Sequence, residues 1–223
     1  MLLVAVNRAA AFNVAARWVL HDLRSPAQSL MLMADLIAEP SEDLEDTLRE
    51  ACSNLGRSLE LLGRVVHPVT TDQTGPLSVA EPIAFVAELH RAGRTHARVE
   101  LHVDPALPPV VGIARHLEHA LLDLLLFAGE TPGSRTGVIR IGAQRDGDRM
   151  LIILGWNDPP LPPEAEAGLF EVPGDDLALA QPLAIGVPVA RIVVEHSGGT
   201  LTYSADGGPG PCFQLRLPLW RQR

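Results

Sequence analysis

Apolar residues recur at alternating steps of three and four through the first part of the chain. Leu2, Val6, Ala9, Ala16, Leu20, Leu23, Ala27, Leu30, Ala34 and Ile37 hold one register, with Asn13 as its polar interruption. That spacing predicts a long amphipathic helix with a single packing seam, as in helical bundles. Pro26 cannot donate to the carbonyl of Asp22 one turn back and its ring crowds that carbonyl, so the helix is expected to bend beside His21. His21 falls one residue off the seam and is expected to face solvent. A second helix carries Leu44, Leu48, Ala51, Leu55, Leu59, Leu62 and Val66 on one face. It is entered through Glu39-Pro40-Ser41-Glu42-Asp43, with Ser41 as N-cap, and stops near His67-Pro68. Two long helices and a short loop predict an antiparallel hairpin over residues 1–69. Pairing with a copy of itself would complete a two-fold four-helix bundle, so a homodimer is expected.

Residues 70–76, rich in Thr, Gly and other polar residues, read as a linker, and the texture changes after it. Strands are predicted at Leu77–Val79, Arg98–Val103, Gly137–Gln144, Met150–Leu154, Thr200–Ser204 and Cys212–Leu217, with Asp146-Gly147-Asp148 as a hairpin turn. Helices are predicted at Glu81–Arg91, Ala114–Gly129 and Val187–Ser197, the last ended by Gly198-Gly199. Residues 77–223 thus read as a sandwich of a mixed sheet with helices on one face, and the whole chain as α+β.

Composition narrows the class. At 223 residues the chain has room for two small domains, and 47% hydrophobic against 4% aromatic residues suits helices and a modest sheet. A formal charge of -9 argues against nucleic acid or an anionic membrane as partner. Cys52 and Cys212 match no metal or redox spacing and read as free thiols in a reducing, cytoplasmic setting. Asn7, Arg8, Asn13 and Arg17 break the apolar run at the start, which therefore reads as a helix face and not a membrane span. No sensor module fits before His21, so input is expected from another protein unless the chain is a fragment.

The chemistry concentrates at His21-Asp22. A carboxylate that accepts the hydrogen bond of one imidazole nitrogen fixes the tautomer and leaves the other a better nucleophile. Asp22 is expected to do this for His21, and Arg24 to offset charge on a phosphoryl group in transit. The string His21-Asp22-Leu23-Arg24-Ser25-Pro26 resembles the H-box of bacterial sensor histidine kinases. The resemblance implies that His21 is the phosphoacceptor, with Asp22, Arg24 and Pro26 as its trailing motif. Ser25 stands where many such kinases carry a threonine used in phosphatase work, which leaves that activity open.

Residues 77–223 resemble the ATP-binding domain of the same kinases, the GHKL fold. Asp104-Pro105-Ala106-Leu107-Pro108 is similar to the lead-in to the N-box helix, Leu169-Phe170-Glu171 to the F-box, and Gly186–Gly199 to the last glycine box and its helix. The positions that serve the nucleotide depart from the pattern. In the stretch Asp123 to Ala128, Phe127 replaces the asparagine whose oxygen holds Mg2+, and a phenyl ring cannot ligate a hard cation. Trp156 replaces the carboxylate that reads adenine, Asp158 and Pro160 replace two glycines, and Ala184 replaces a glycine of the last box. Phosphate cradles need bare backbone.

An intact phosphoacceptor string beside a degenerate nucleotide box resembles the dimeric pseudokinase-type histidine phosphotransferases of phosphorelays. The resemblance implies transfer through His21 between response-regulator receiver domains, with an upstream hybrid histidine kinase, no cofactor of the chain's own, and Mg2+ brought by the receiver. Helical spacing places Ser25, Gln28 and Leu32 on the face of His21, where they form a receiver-docking surface unless Leu32 instead packs against the C-terminal domain. The alternatives are a divergent ATP-dependent kinase, a non-catalytic dimeric scaffold, and a phosphatase acting on a response regulator.

Overall fold

The chain is described by a computed structural model over residues 2–36, 42–66, 73–93, 97–104, 106–130, 137–172, 184–206 and 210–221. Its first helix, α1, spans Leu2–Asp22. Leu23 is a turn, and α2 resumes at Arg24–Leu36. The break falls where the missing Pro26 donor predicts it, while Leu23 N and Ala27 N still reach Val19 O and Leu23 O at 3.0 and 3.3 Å. The antiparallel partner, α3, spans Glu42–Val66. The expected turn at Glu39–Ser41 lies outside the described residues.

The face by which α1 packs within the chain is not the seam read from the sequence. Its buried residues are Asn7, Ala11, Phe12, Ala15 and Val19, whereas Leu2 and Leu20 remain exposed. On α3 the buried positions are Ala51, Ser58, Leu61 and Val65, and Leu48, Leu59 and Val66 stay outside. Each helix is apolar on two sides. The leucine-rich register stands out in the sequence, but the alanine-rich one allows the closer approach between backbones that packing in the chain uses.

The remaining elements form an α/β layer pair. Strands β1 (Gly75–Leu77) and β3 (Val110–Gly112) make a small antiparallel sheet. The main sheet runs β2-β4-β5-β7-β6, comprising Arg98–Val103, Val138–Asp146, Arg149–Trp156, Cys212–Pro218 and Thr200–Ser204. β2 and β4 are parallel and every other pair is antiparallel, so the sheet is mixed as expected. β7 alternates buried Phe213, Leu215 and Leu217 with half-buried Gln214 and Arg216, and Gly147, at φ +62, closes the β4–β5 turn.

Helices α4 (Ala80–Ala92), α5 (Ala114–Glu130) and α7 (Gly186–His196) pack against this sheet, and α6 (Pro163–Gly168) is a short surface turn. β1 starts inside the segment read as linker, and β3 and α6 are additions to the sequence reading. The core joins α4, α5 and α7 to the sheet and also takes in α1, which lies along α3, α4, α5 and α7. The helical hairpin and the α/β layers therefore share buried surface.

Candidate functional site

His21, Asp22, Arg24 and Ser25 sit at the helix break, while Gln28 and Leu32 lie further along α2. His21, Arg24, Ser25 and Gln28 are exposed, as expected, and Leu32 is 66% exposed. The imidazole stands at a recess of about 340 Å³ lined by Val14, Arg17, Trp18, His21 and Gly93. Asp22 faces the other way: its Oδ2 accepts a hydrogen bond from Ser58 Oγ of α3 at 3.2 Å. No hydrogen bond joins Asp22 to His21 among the described residues, so the tautomer-fixing role expected of Asp22 needs a rotation out of this arrangement. A second recess, about 320 Å³, includes Asp22 and Ser25 together with Arg57, Ser58, Glu88 and Arg91. Glu88 and Arg91 belong to α4, and Arg57 Nε lies 3.8 Å from Glu88 Oε1, so the α/β layers supply one wall beside the helix break.

The positions matched to the nucleotide boxes are largely internal. Trp156, at the end of β5, is 2% exposed and meets Phe127 of α5 edge-on at 6.2 Å between ring centres. Phe213 lies 5.3 Å from Trp156 and 5.6 Å from Phe127, and Tyr203 adds a fourth ring. These edge and tilted pairs occupy the space between α5 and the sheet with apolar surface. Asp158 is buried with Oδ2 unpaired, and burial raises its carboxyl above the ordinary range. Pro160 and Ala184 are exposed. The lid segment between Phe170 and Ala184 lies mostly outside the described residues.

Asp123 is part of a buried cluster that sequence reasoning did not anticipate. His119 Nε2 is 2.7 Å from Asn7 Oδ1, to which it must donate, and Asn7 also hydrogen-bonds the Asp123 carboxyl. His119 Nε2 comes within 3.2 Å of Asp123 Oδ2, yet that oxygen has no hydrogen-bond partner. The contact is not an ion pair. Burial, reinforced by Arg8, holds His119 down to about 3, so the ring is neutral, and burial pushes Asp123 well above the usual carboxylate range. A Cβ on Gly186 would come within 3.3 Å of Asp123. Asp123 thus braces α1 and α7 against α5. Asn7 and His119 are 112 residues apart, and no local pattern signals their meeting.

No family model matches the chain. The nitrogen regulation protein NtrY of Azorhizobium caulinodans is 26% identical over 96% of this chain, which covers 30% of that protein. The adaptive-response sensory kinase SasA of Parasynechococcus marenigrum is 24% identical over 92% of this chain and is covered over 56% of its length. The chain therefore spans between about a third and just over half of these relatives. Among solved structures, the histidine kinase AdeS of Acinetobacter baumannii superposes with a TM-score of 0.54 at 19% identity, over 90% of this chain and 98% of that one. The hairpin joined to a mixed five-stranded α/β layer is thus the histidine-kinase fold, and over most of its length the chain is similar in sequence to these regulatory and sensory kinase proteins.

Proposed function

We propose that the chain is a histidine phosphotransferase that passes a phosphoryl group through His21 between response-regulator receiver domains without using ATP. The observation that carries this reading is a contrast: His21 stands exposed at the helix break, while the positions matched to the Mg2+ ligand and the adenine reader are Phe127 and Trp156, packed ring against ring. A magnesium nucleotide requires an oxygen ligand at the first and a hydrogen-bonding carboxylate at the second. Neither side chain supplies one, and Asp123 is enclosed against Asn7, so the residues present do not fit the nucleotide. The divergent kinase remains the second reading, favoured by the names of the sequence relatives.

In the proposed reaction the unprotonated nitrogen of His21 attacks the phosphorus of a receiver aspartyl phosphate in line. The N–P bond forms as the P–O bond breaks, and the receiver aspartate leaves as a carboxylate. Attack by a second receiver's aspartate reverses the exchange, and no electron or net proton transfer is required. Arg24 is exposed near His21 and offsets charge on the moving group; Asp22, once released from Ser58, orients the ring. The receiver brings the Mg2+ that its own aspartyl phosphate chemistry uses.

Ser25, Gln28 and Leu32 form the docking face on α2. A leucine left 66% exposed on α2, the helix that follows the phosphoacceptor, supports burial by a partner. Leu20, Leu48, Leu59 and Val66 leave a further apolar stripe on the hairpin, which supports a homodimer through a two-fold bundle. The test starts from a phosphorylated receiver and follows phosphate onto the chain. His21→Ala is expected to accept none, and Leu32→Asp to need a higher receiver concentration for the same rate. Normal transfer by His21→Ala would remove the reading, and an unchanged rate for Leu32→Asp would remove that residue from the docking face.

A further inference from the structure

The recess at His21 has a floor whose construction calls for explanation. Gly93 follows α4 as its C-cap with φ -66 and ψ -11, a right-handed conformation open to any residue. Its backbone therefore does not demand glycine. The surroundings do: a Cβ there would lie 2.7 Å from Cδ2 of Trp18 and 3.0 Å from Cε2 and Cγ, too close for any packed pair. The indole rests directly on the bare end of α4. It also meets His90 edge-on at 6.1 Å, and His90 is itself fully enclosed and thus a fixed support. Trp18 precedes His21 by three residues on α1, so the two share a face, and both line the same recess with Gly93.

Resting on the phosphotransfer reading above, we propose that Trp18 is a positioning residue for His21, seated on Gly93 so that the turn of α1 bearing the imidazole is held against the end of α4. In-line attack tolerates little angular error, and a displacement of about 1 Å at a reacting group costs on the order of a hundredfold in rate. The helix is interrupted immediately after Asp22, so the backbone hydrogen bonds of α2 hold this turn only weakly from that side. The Trp18–Gly93 contact supplies the support that the break removes. In this arrangement the α/β layers act on the phosphoacceptor by holding its helix.

The test measures phosphate transfer from a phosphorylated receiver to the full chain across a range of receiver concentrations. It compares wild type with Trp18→Ala, Trp18→Phe, Gly93→Ala and the double variant Trp18→Ala/Gly93→Ala. A parallel arm labels His21 with phosphoramidate, a small donor whose P–N bond breaks with loss of ammonia as the histidine N–P bond forms. Trp18→Ala and Gly93→Ala are each expected to lower the saturating rate about tenfold or more while leaving half-saturation within about twofold. The double variant should be no slower than the worse single one, because both act through one contact. Trp18→Phe should recover most of the rate, and phosphoramidate labelling should stay within about twofold throughout. Saturating rates near wild type in both single variants, additive losses, or an equal fall in phosphoramidate labelling would overturn the positioning role. A wild-type chain that accepts nothing from any receiver would instead remove the phosphotransfer reading, and this proposal with it.

Discussion

The helix break and the space between α5 and the sheet treat their polar chemistry in opposite ways. At the break, His21, Arg24 and Ser25 all face solvent. Between α5 and the sheet, several positions aligned with nucleotide-handling boxes are packed against their neighbours: Trp156 and Phe127 fill space with rings, and Asp123 braces two helices. A group that exchanges phosphate with another protein needs access more than a cavity, whereas a group that holds a nucleotide needs a cavity lined by bare backbone and oxygen. Under the proposed function, a chain that keeps the first and fills the second divides the two requirements of its fold.

The sharpest way to break this contrast is to install the residue types that the nucleotide boxes of the resembling kinases carry. Trp156→Asp with Phe127→Asn should fail to create ATP binding and should cost about 3–5 kcal/mol or more in stability, through a core void and unpaired polar groups. Denaturant titration with and without magnesium ATP reads both. A folded variant that gains nucleotide affinity would show that the pocket was only masked.

Acidity probes the buried side next. Burial, then Arg91, holds His90 down to about 4, and burial holds His119 to about 3, against an ordinary 6.5. Below about 6.5 the unfolded chain takes up protons that the folded chain refuses, so the histidines' contribution to stability is lost as pH drops from about 6.5 toward 4 for His90 and 3 for His119, by roughly 3 kcal/mol or more. Asp123 and Glu118 are shifted upward, mainly by burial, and their contribution is present at low pH and lost as pH rises. Between pH 7 and 4 the urea midpoint of His119→Gln should fall less, relative to its own value at pH 7, than that of the wild type.

Smaller effects separate the two regions further. Asn7→Ala leaves His119 and Asp123 short of a partner and should cost about 1–3 kcal/mol, read as a lower thermal midpoint. Ser58→Ala removes one part-buried hydrogen bond to Asp22 and should cost only about 0.5–1.5 kcal/mol. Because it frees the Asp22 carboxylate, it should leave phosphate transfer at His21 undiminished. A tenfold loss of transfer would contradict the reading of Asp22 as a residue released for function.

Local pattern carried much of this structure. The alternation in Arg98–Val103 and Thr200–Ser204 set those strands to the residue, and the Pro26 break and solvent-facing His21 followed from elementary backbone chemistry. Val110–Gly112 escaped because a three-residue strand after Pro108-Pro109 has too few positions to alternate, and α6 because it is a single short turn. The packing face of α1 was misassigned because Ala11 and Ala15 are small and Asn7 is polar, so none weighs in a hydrophobic register. At the site, the six-residue string marked His21. The Asn7–His119–Asp123 cluster and the seat of Trp18 on Gly93 join residues far apart in sequence, and only tertiary packing brings them together.

The central claim is tested most directly by offering His21 two donors side by side: labelled magnesium ATP alone, and a receiver carrying labelled aspartyl phosphate. The account predicts acid-labile label on the wild-type chain from the receiver only, and none on His21→Ala from either source. Label on His21 from ATP alone would contradict it, and would return the α/β layers to the role of a working kinase domain.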